Sequence, residues 1–228
     1  MKKILTIVLF FIAASAKAQD INTVVQKAKA KIETVNDYEA SGRMKTNVAF
    51  LKVPVANVKV YFKKPNRLKV KSEKGISFIP KGAVNINMSN ITGTNKFTVI
   101  DGGVEKLNGQ TLRVARLLPD DDNSDMVLST IYIDETTNLI MKARTTTKDN
   151  GTYELEMSYG KFASYGLPDK IVFSFNTKDY RLPKGVTFDF DDGTSTPPTE
   201  HVKTRKGRAE IIFSDYIINR GVSDAVFK

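Results

Sequence analysis

Catalysis needs an acid, a base, a nucleophile or a metal at a defined spacing, and this sequence offers few such groups. His201 is the only histidine, it follows the proline pair of residues 197–198, and the chain has no cysteine. One histidine without cysteine excludes the usual zinc ligand sets. Neither a G-x-S-x-G nucleophile turn nor a phosphate-binding glycine loop occurs. We interpret His201 as a solvated loop residue and expect no catalytic residue and no cofactor.

Two acidic clusters have the oxygen ligands that calcium prefers. They are residues 120–125 and residues 189–193, and Glu200 stands at the twelfth place counted from Asp189. A calcium loop of the EF-hand type needs glycine at its sixth place, whereas Gly193 stands at the fifth and two prolines follow. A hydrolase using these carboxylates is disfavoured because they lie in loops without a visible partner. Solvated loop charge is the better interpretation, and no metal site is predicted.

The first residues have the three parts of a cleaved export signal. Residues 2–3 are lysines, residues 4–14 are apolar, and residues 16–18 have the small-x-small pattern that precedes cleavage. The apolar run is too short for a membrane-spanning helix, which needs roughly 20 residues. We therefore predict a signal peptide over residues 1–18, cleaved after Ala18, and a mature chain that works outside the cytoplasm.

The net charge of the chain is basic. Removing the three lysines of the signal lowers the formal charge from +10 to about +7. A basic balance favours anionic partners such as membrane headgroups, although it also serves simple solubility. Export argues against nucleic acid as a partner. The length suits a single all-β domain with a sizeable core, which needs no disulfide.

One segment has the apolar spacing of an amphipathic helix. Over residues 20–36 the apolar positions recur every three or four residues, so they share one face. Asp20 or Asn22 is suited to cap the start, since its side-chain oxygen can accept an orphan backbone N–H. The apolar positions are Ile21, Val24, Val25, Ala28, Ile32 and Val35.

Beyond the helix the apolar period changes to two, which is typical of strands. Apolar residues alternate with basic or polar ones over residues 58–62 and 68–70, and the Lys-Pro-Asn of residues 64–66 joins them as a turn. Residues 101–103 (Asp-Gly-Gly) and 108–109 (Asn-Gly) are interpreted as further turns. Similar runs recur to the end of the chain. They predict a mainly β (α+β) antiparallel fold of about ten strands.

The two faces of the predicted 58–70 hairpin are open to different interpretations. The basic face either meets an anionic surface or is solvated charge that protects a sheet edge. One helix cannot cover the apolar face of ten strands, so the sheet forms either a sandwich or a half-barrel that retains a cavity. Gly82–Gly93 is either a short helix or an irregular crossing, and residues 191–206 form an exposed loop. The candidate cavity-lining residues, which are otherwise ordinary core, are Val58, Val60, Phe62, Leu68, Val70 and Phe78.

The order of these features resembles the LolA-like family of periplasmic outer-membrane lipoprotein carriers and lipoprotein-sorting proteins. Each motif is weak alone, and their order carries the resemblance over nearly all of the mature chain. The similar segments are residues 62–70 (strand, turn and strand), 131–134 with 139–143 (strand, Asp turn and strand), 149–151, 166–169, and the ending at 213–219 and 224–227.

This resemblance implies a single half-barrel domain over residues 19–228. In such a domain a curled antiparallel sheet forms an incomplete barrel, with an N-terminal helix and short helical lid segments. It implies a periplasmic monomer that binds lipoprotein acyl chains or other lipids and exchanges them with membrane-associated donor and acceptor proteins. The arginine that the family links to lid closure corresponds to Lys64, which lacks the fork-shaped donor set of arginine. The alternative is a non-catalytic envelope sensor or protein-binding module of the same fold.

Overall fold

The computed structural model describes residues 19–48, 51–52, 55–65, 67–72, 97–149, 151–176 and 206–227. Several sequence predictions lie outside these residues: the signal segment, Phe78, Gly82–Gly93, the acidic cluster at 189–193, and His201.

The predicted N-terminal helix is confirmed as α1 (Ile21–Glu33). It begins where predicted, because the Asp20 carboxylate accepts a hydrogen bond from the Thr23 backbone N–H at 3.3 Å. The apolar stripe of the helix is buried at Ile21, Val24, Val25 and Ala28. Amphipathic spacing therefore gives both the helix and the face that it buries.

The remaining elements are strands, apart from two short 3-10 helices at Ala163–Tyr165 and Asp224–Phe227. The strands are β1 (Asp37–Val48), β2 (Leu51–Lys52), β3 (Ala56–Lys63), β4 (Arg67–Ser72), β5 (Phe97–Leu107), β6 (Gln110–Pro119), β7 (Met126–Asp134), β8 (Leu139–Thr147), β9 (Gly151–Ser158), β10 (Lys170–Asn176) and β11 (Lys206–Ile218).

These strands form one antiparallel sheet in the order β4-β3-β1-β11-β10-β9-β8-β7-β6-β5, with β2 paired to β1 off this path. β4 and β5 stand at its two ends and do not pair with each other within the described residues. The sheet is therefore not closed. A mainly β, incomplete barrel of about ten strands with an N-terminal helix is confirmed.

Local turn chemistry explains most of the short connections. The Asn108-Gly109 turn has φ of 50° and 84°, which matches the left-handed geometry that a two-residue hairpin needs. Lys64 and Pro65 lie in the turn between β3 and β4, as predicted. The predicted turn at residues 101–103 is wrong: these residues lie inside β5, where the pairing with β6 shifts between Asp101 and Val104. Glycine at a strand interior accommodates such a bulge as readily as a turn.

In the part of the chain that the structure describes, no helix is long and apolar enough to cross a membrane. The acidic residues 120–125 lie in the loop between β6 and β7. Within the same described ranges, no three His, Cys, Asp or Glu side chains are grouped so that they could hold a metal ion.

Candidate functional site

One face of the sheet, here called the inner face, carries α1 and the buried side chains. Alternate residues of a strand point to the same side, so directly paired residues share a face. The helix packs against β5, β7 and β8, and its apolar stripe forms one buried cluster with side chains of β6 to β11 such as Ile131 and Leu155. This part of the inner face is filled by side chains of α1.

The second part of the inner face lies over β1, β3, β4 and β11. Its buried cluster, here called the edge cluster, is continuous with the first because Ile171 packs against both. The edge cluster consists of Val35, Ala40, Val60, Phe62, Phe162, Leu167, Phe213 and Tyr216.

Five of the six candidate lining residues share this inner face. Phe62 pairs with Leu68 and Val60 pairs with Val70 across the β3–β4 hairpin, and Val58 continues the same row of β3. Burial divides them. Val60 and Phe62 are only 4% and 6% exposed, whereas Leu68 and Val70 on the edge strand are half-buried. The accessible apolar surface of the hairpin therefore lies on β4.

Phe62 packs against a group of aromatic side chains on the inner face. Its ring centroid lies 5.3 Å from that of Tyr38, and Tyr38 lies 5.4 Å from Tyr216. Phe162 and Phe213 complete the group at 4.8 and 5.0 Å from Tyr216. Burial raises the pKa of Tyr216, whose hydroxyl donates to a backbone carbonyl. These rings pack closely together on the inner face of the sheet next to β3.

Lys64 connects the β3–β4 turn to the end of α1. Its Nζ donates to the Glu33 carbonyl at 2.6 Å and to Asn36 Oδ1 at 3.2 Å. Its backbone N–H also donates to the Asn36 carbonyl at 2.9 Å. A cation at a helix C-terminus neutralises the partial negative charge of the unpaired carbonyls. Lys64 therefore fixes the last turn of α1 against the hairpin.

Asn219 makes a second connection at the same place, which the sequence reasoning missed. Its Nδ2 donates to the Thr34 carbonyl at 2.9 Å, and its Oδ1 accepts from the Asn36 and Asp37 N–H groups at 2.7 and 3.3 Å. The residue has φ of 55°, a conformation that asparagine tolerates well. No periodicity signals this role, because it joins residues about 185 positions apart.

Lys64 and Asn219 together with Lys31 tie the C-terminal end of α1 to three separate parts of the sheet. Lys31 Nζ donates to the Thr137 carbonyl in the β7–β8 turn at 2.6 Å. We call this group the helix clamp. Each member donates a hydrogen bond to a backbone carbonyl. These bonds position α1 and have no evident role in catalysis.

A polar pair also lies on the inner face, near the β5 end of the sheet. Arg113 faces inward because it pairs with buried Ile133, and its guanidinium donates to the Asp101 carboxylate at 2.5 Å. The Nε of Arg113 is buried without a hydrogen-bond partner. Arg113 and Asp101 therefore form an ion pair that supports the bulge of β5. An arginine neutralised in this way is not a nucleophile or a base.

No family model matches this chain, and no curated protein sequence matches it. Solved structures do resemble its fold. A domain from Vibrio parahaemolyticus assigned to outer-membrane lipoprotein sorting has a TM-score of 0.59 at 13% identity, covering 90% of this chain and 95% of that one. A LolA superfamily protein from Nitrosomonas europaea has a TM-score of 0.59 at 11% identity, covering 92% and 98%.

A DUF1329 family protein from Desulfovibrio piger has a TM-score of 0.57 at 14% identity and covers 91% of this chain and 97% of its own. At these identities the likeness establishes the fold, which is LolA-like. It confirms the resemblance that the order of sequence motifs indicated.

Proposed function

We propose that this chain is a periplasmic lipid-binding carrier, which shields acyl chains of lipoproteins or other lipids during outer-membrane lipoprotein sorting. The proposal includes export with removal of residues 1–18, action as a monomer, and exchange of cargo with membrane-associated donor and acceptor proteins. It involves no catalytic step and no cofactor. Its premise is the LolA-like fold. Two of the structures similar to this chain are an outer-membrane lipoprotein-sorting domain and a LolA superfamily protein.

The observation that carries the proposal is the half-buried apolar edge of an open sheet. Leu68 and Val70 continue the buried rows of Phe62 and Val60 onto β4, the end strand of the sheet within the described residues. An acyl chain lying there would extend an existing apolar face. Each buried CH₂ contributes about 0.8 kcal/mol, so about ten of them give roughly 8 kcal/mol before the costs of ordering. Val58, Val60 and Phe62, which are buried next to this edge, and Phe78, which lies outside the described residues, are kept as further proposed lining residues.

Lys64 has a proposed role in opening and closing this edge. Its bonds to Glu33 and Asn36 join the β3–β4 turn to α1. Any movement of the hairpin away from the helix must break them. We assign Lys64 to lid closure in this sense, as a residue that holds the hairpin and not one that contacts lipid.

The first test is native mass spectrometry of the protein isolated from its own periplasm, followed by organic extraction of bound material. Co-purified acylated peptide or lipid supports the carrier function and identifies the cargo. A clean apo mass, together with no uptake of a fluorescent fatty acid by the delipidated protein, contradicts it.

Paired variants locate the binding surface. Leu68→Asn with Val70→Thr makes the inner edge polar at nearly constant volume, and we expect at least a tenfold loss of fatty-acid affinity. Ile217→Asn is the matched control, because Ile217 is 51% exposed on the opposite face. Asp at Val60 or Phe62 is a poorer test, since those side chains are core and a buried charge would unfold the domain. If the Leu68/Val70 variant and the Ile217→Asn control lost fatty-acid affinity equally, the lipid would bind elsewhere.

A non-catalytic sensor or protein-binding module is the second candidate. The observation in its favour is that side chains of α1 fill part of the inner face, in one buried cluster with side chains of β6 to β11. A delipidated protein that takes up no lipid but captures a defined envelope protein would favour this function over the carrier.

A further inference from the structure

The outer face of β1, β3 and β4 carries an excess of positive charge. Residues there alternate with the buried row of β3, so they point away from the core. The cross-strand register places Lys59 opposite Lys71 and Lys63 opposite Arg67. We call this surface the basic face; its cationic residues are Arg43, Lys45, Lys59, Lys63, Arg67, Lys69 and Lys71.

Like charges directly opposite each other on a sheet are destabilising. The centre of the same sheet avoids them. There Lys170 lies 3.2 Å from Glu210, and Lys142 lies 3.5 Å from Glu154. Opposite charges thus alternate across β8 to β11, whereas cations face cations across β3 and β4. Like charges are therefore concentrated on the β3–β4 hairpin, although Lys59 also pairs with Glu39 of the neighbouring strand β1.

Four acidic side chains offset part of this charge: Asp37 lies opposite Lys63 and Glu210 opposite Lys45 in the register, and Glu39 and Asp224 form ion pairs. Glu39 lies 2.7 Å from Lys59, and Asp224 of the C-terminal 3-10 helix lies 2.5 Å from Lys63 and 3.0 Å from Arg67. The hydrogen bond from Lys63, together with the Arg67 charge, lowers the pKa of Asp224. Seven cations against these four carboxylates leave the surface cationic.

Protection of a sheet edge explains only some of these residues. Lysine on β4 guards that exposed edge against pairing with another chain. In contrast, β1 is an interior strand, and there Arg43 lies between Asn57 of β3 and Ile212 of β11. Edge protection therefore does not explain the exposed charge of Arg43.

Exposed apolar side chains border the basic face. Ile212 and Ile217 are each 51% exposed, and they lie beside Arg43 and Glu39 in the register. Tyr61 lies within the face, with the Lys71 amine 5.6 Å from its ring centroid. Cations beside a tyrosine and large aliphatic side chains match the boundary between lipid headgroups and acyl chains. A purely acidic polymer would neutralise the cations but leave both isoleucines in water.

We propose that the basic face docks this protein onto an anionic phospholipid surface. The cations contact headgroup phosphates, and Ile212 with Ile217 enter the shallow apolar layer beneath. Docking of this kind is reversible and weakens with salt, because several exposed charges each contribute modestly. It depends on the outer face alone and stands whether or not the inner face carries lipid.

The test is co-sedimentation of the full mature chain with vesicles. We expect binding to phosphatidylcholine vesicles that contain about one third phosphatidylglycerol, weak binding to phosphatidylcholine alone, and release by high salt. The double substitution Arg43→Glu with Lys71→Glu should weaken binding by at least about 30-fold, because each basic residue removed costs roughly fivefold and each added glutamate is also repelled by the anionic surface. Ile212→Ser with Ile217→Ser should weaken it at unchanged net charge.

The control is Lys106→Glu with Arg116→Glu, which changes the net charge equally on exposed positions of β5 and β6. We expect it to retain most of the vesicle binding, and thermal unfolding checks that every variant folds. If the two charge variants lost vesicle binding equally, the change in net charge alone would explain the loss. That result would overturn the proposal. Failure to bind anionic vesicles would also overturn it, and capture of polyglutamate by the same protein would then assign the face to an acidic macromolecule.

Discussion

The helix clamp makes a quantitative prediction for Lys64. Lys64→Met keeps the aliphatic stem but removes the charge and the donor at 2.6 Å from the Glu33 carbonyl. A cation at a helix C-terminus contributes about 0.3–1 kcal/mol, and a hydrogen bond to a charged group about 1.5–3 kcal/mol when well buried. Lys64 is only half-buried, so solvent reduces the second contribution. We expect the free energy of unfolding to fall by about 1–2 kcal/mol.

Urea unfolding of the mature chain measures this change, with Lys27→Met as the control. Lys27 lies on the exposed side of the same helix, and its substitution should change stability by less than about 0.5 kcal/mol. Hydrogen exchange adds a local readout. Amides in the last turn of α1 should exchange faster in Lys64→Met, because that turn opens more often.

Asn219→Gly tests whether the clamp acts as a unit. Glycine keeps the positive φ but removes the bonds to Thr34, Asn36 and Asp37. We expect a loss of about 2–3 kcal/mol, and a double variant with Lys64→Met that departs from additivity by at least 0.5 kcal/mol. A Lys64→Met protein as stable as the Lys27→Met control, with unchanged exchange in α1, would falsify the clamp.

Two further predictions concern the sheet itself. Gly42→Ala should cost about 2–3 kcal/mol in urea unfolding, because the new Cβ would lie 2.6 Å from the rigid Ile212 carbonyl oxygen; a loss below about 0.5 kcal/mol would contradict this reading. Burial raises the pKa of Tyr153 to about 12, with a smaller contribution from the Asp125 charge and an opposing hydrogen bond from Thr145. Since the unfolded tyrosine titrates near pH 10, the contribution of Tyr153 to stability is constant below that pH and falls by on the order of 2 kcal/mol as the pH rises toward 12. Tyr38, Tyr159 and Tyr216, whose pKa burial also raises, add losses of the same sign. Urea midpoints across this range should show a shallower decline in Tyr153→Phe, and parallel curves would show that another group is responsible.

The sequence predicted the β3–β4 hairpin because its signals agree. Val58, Val60 and Phe62 alternate with polar residues, and a Lys-Pro-Asn turn follows directly. The preceding strand β1 is longer, yet periodicity did not detect it. Its inward residues include Ala40, Gly42 and Thr46, which have little apolar contrast with their neighbours. Small residues there admit the aromatic rings of β11, so packing requires the very residues that weaken the pattern.

The candidate site was predictable only in part, for a related reason. Alternation assigned Leu68 and Val70 to the same face as Phe62 and Val60, and the register agrees. It could not separate the buried pair from the half-buried pair, because that difference arises from Tyr216 and Phe213 far along the chain. The helix clamp was likewise invisible, since Lys64 and Asn219 meet α1 only after the sheet has formed.

The two proposed functions of the β1–β3–β4 region are separable because a strand has a period of two. Leu68 and Val70 lie on the inner face, whereas Lys71 lies on the outer one, one residue further along the same strand. Polar substitution of the first pair should therefore remove fatty-acid uptake and leave vesicle binding intact, while charge reversal at Arg43 and Lys71 should do the opposite. One hairpin can in this way hold an acyl chain on one side and lie on a membrane with the other, so that cargo at the β4 edge stays beside the surface that gives or receives it.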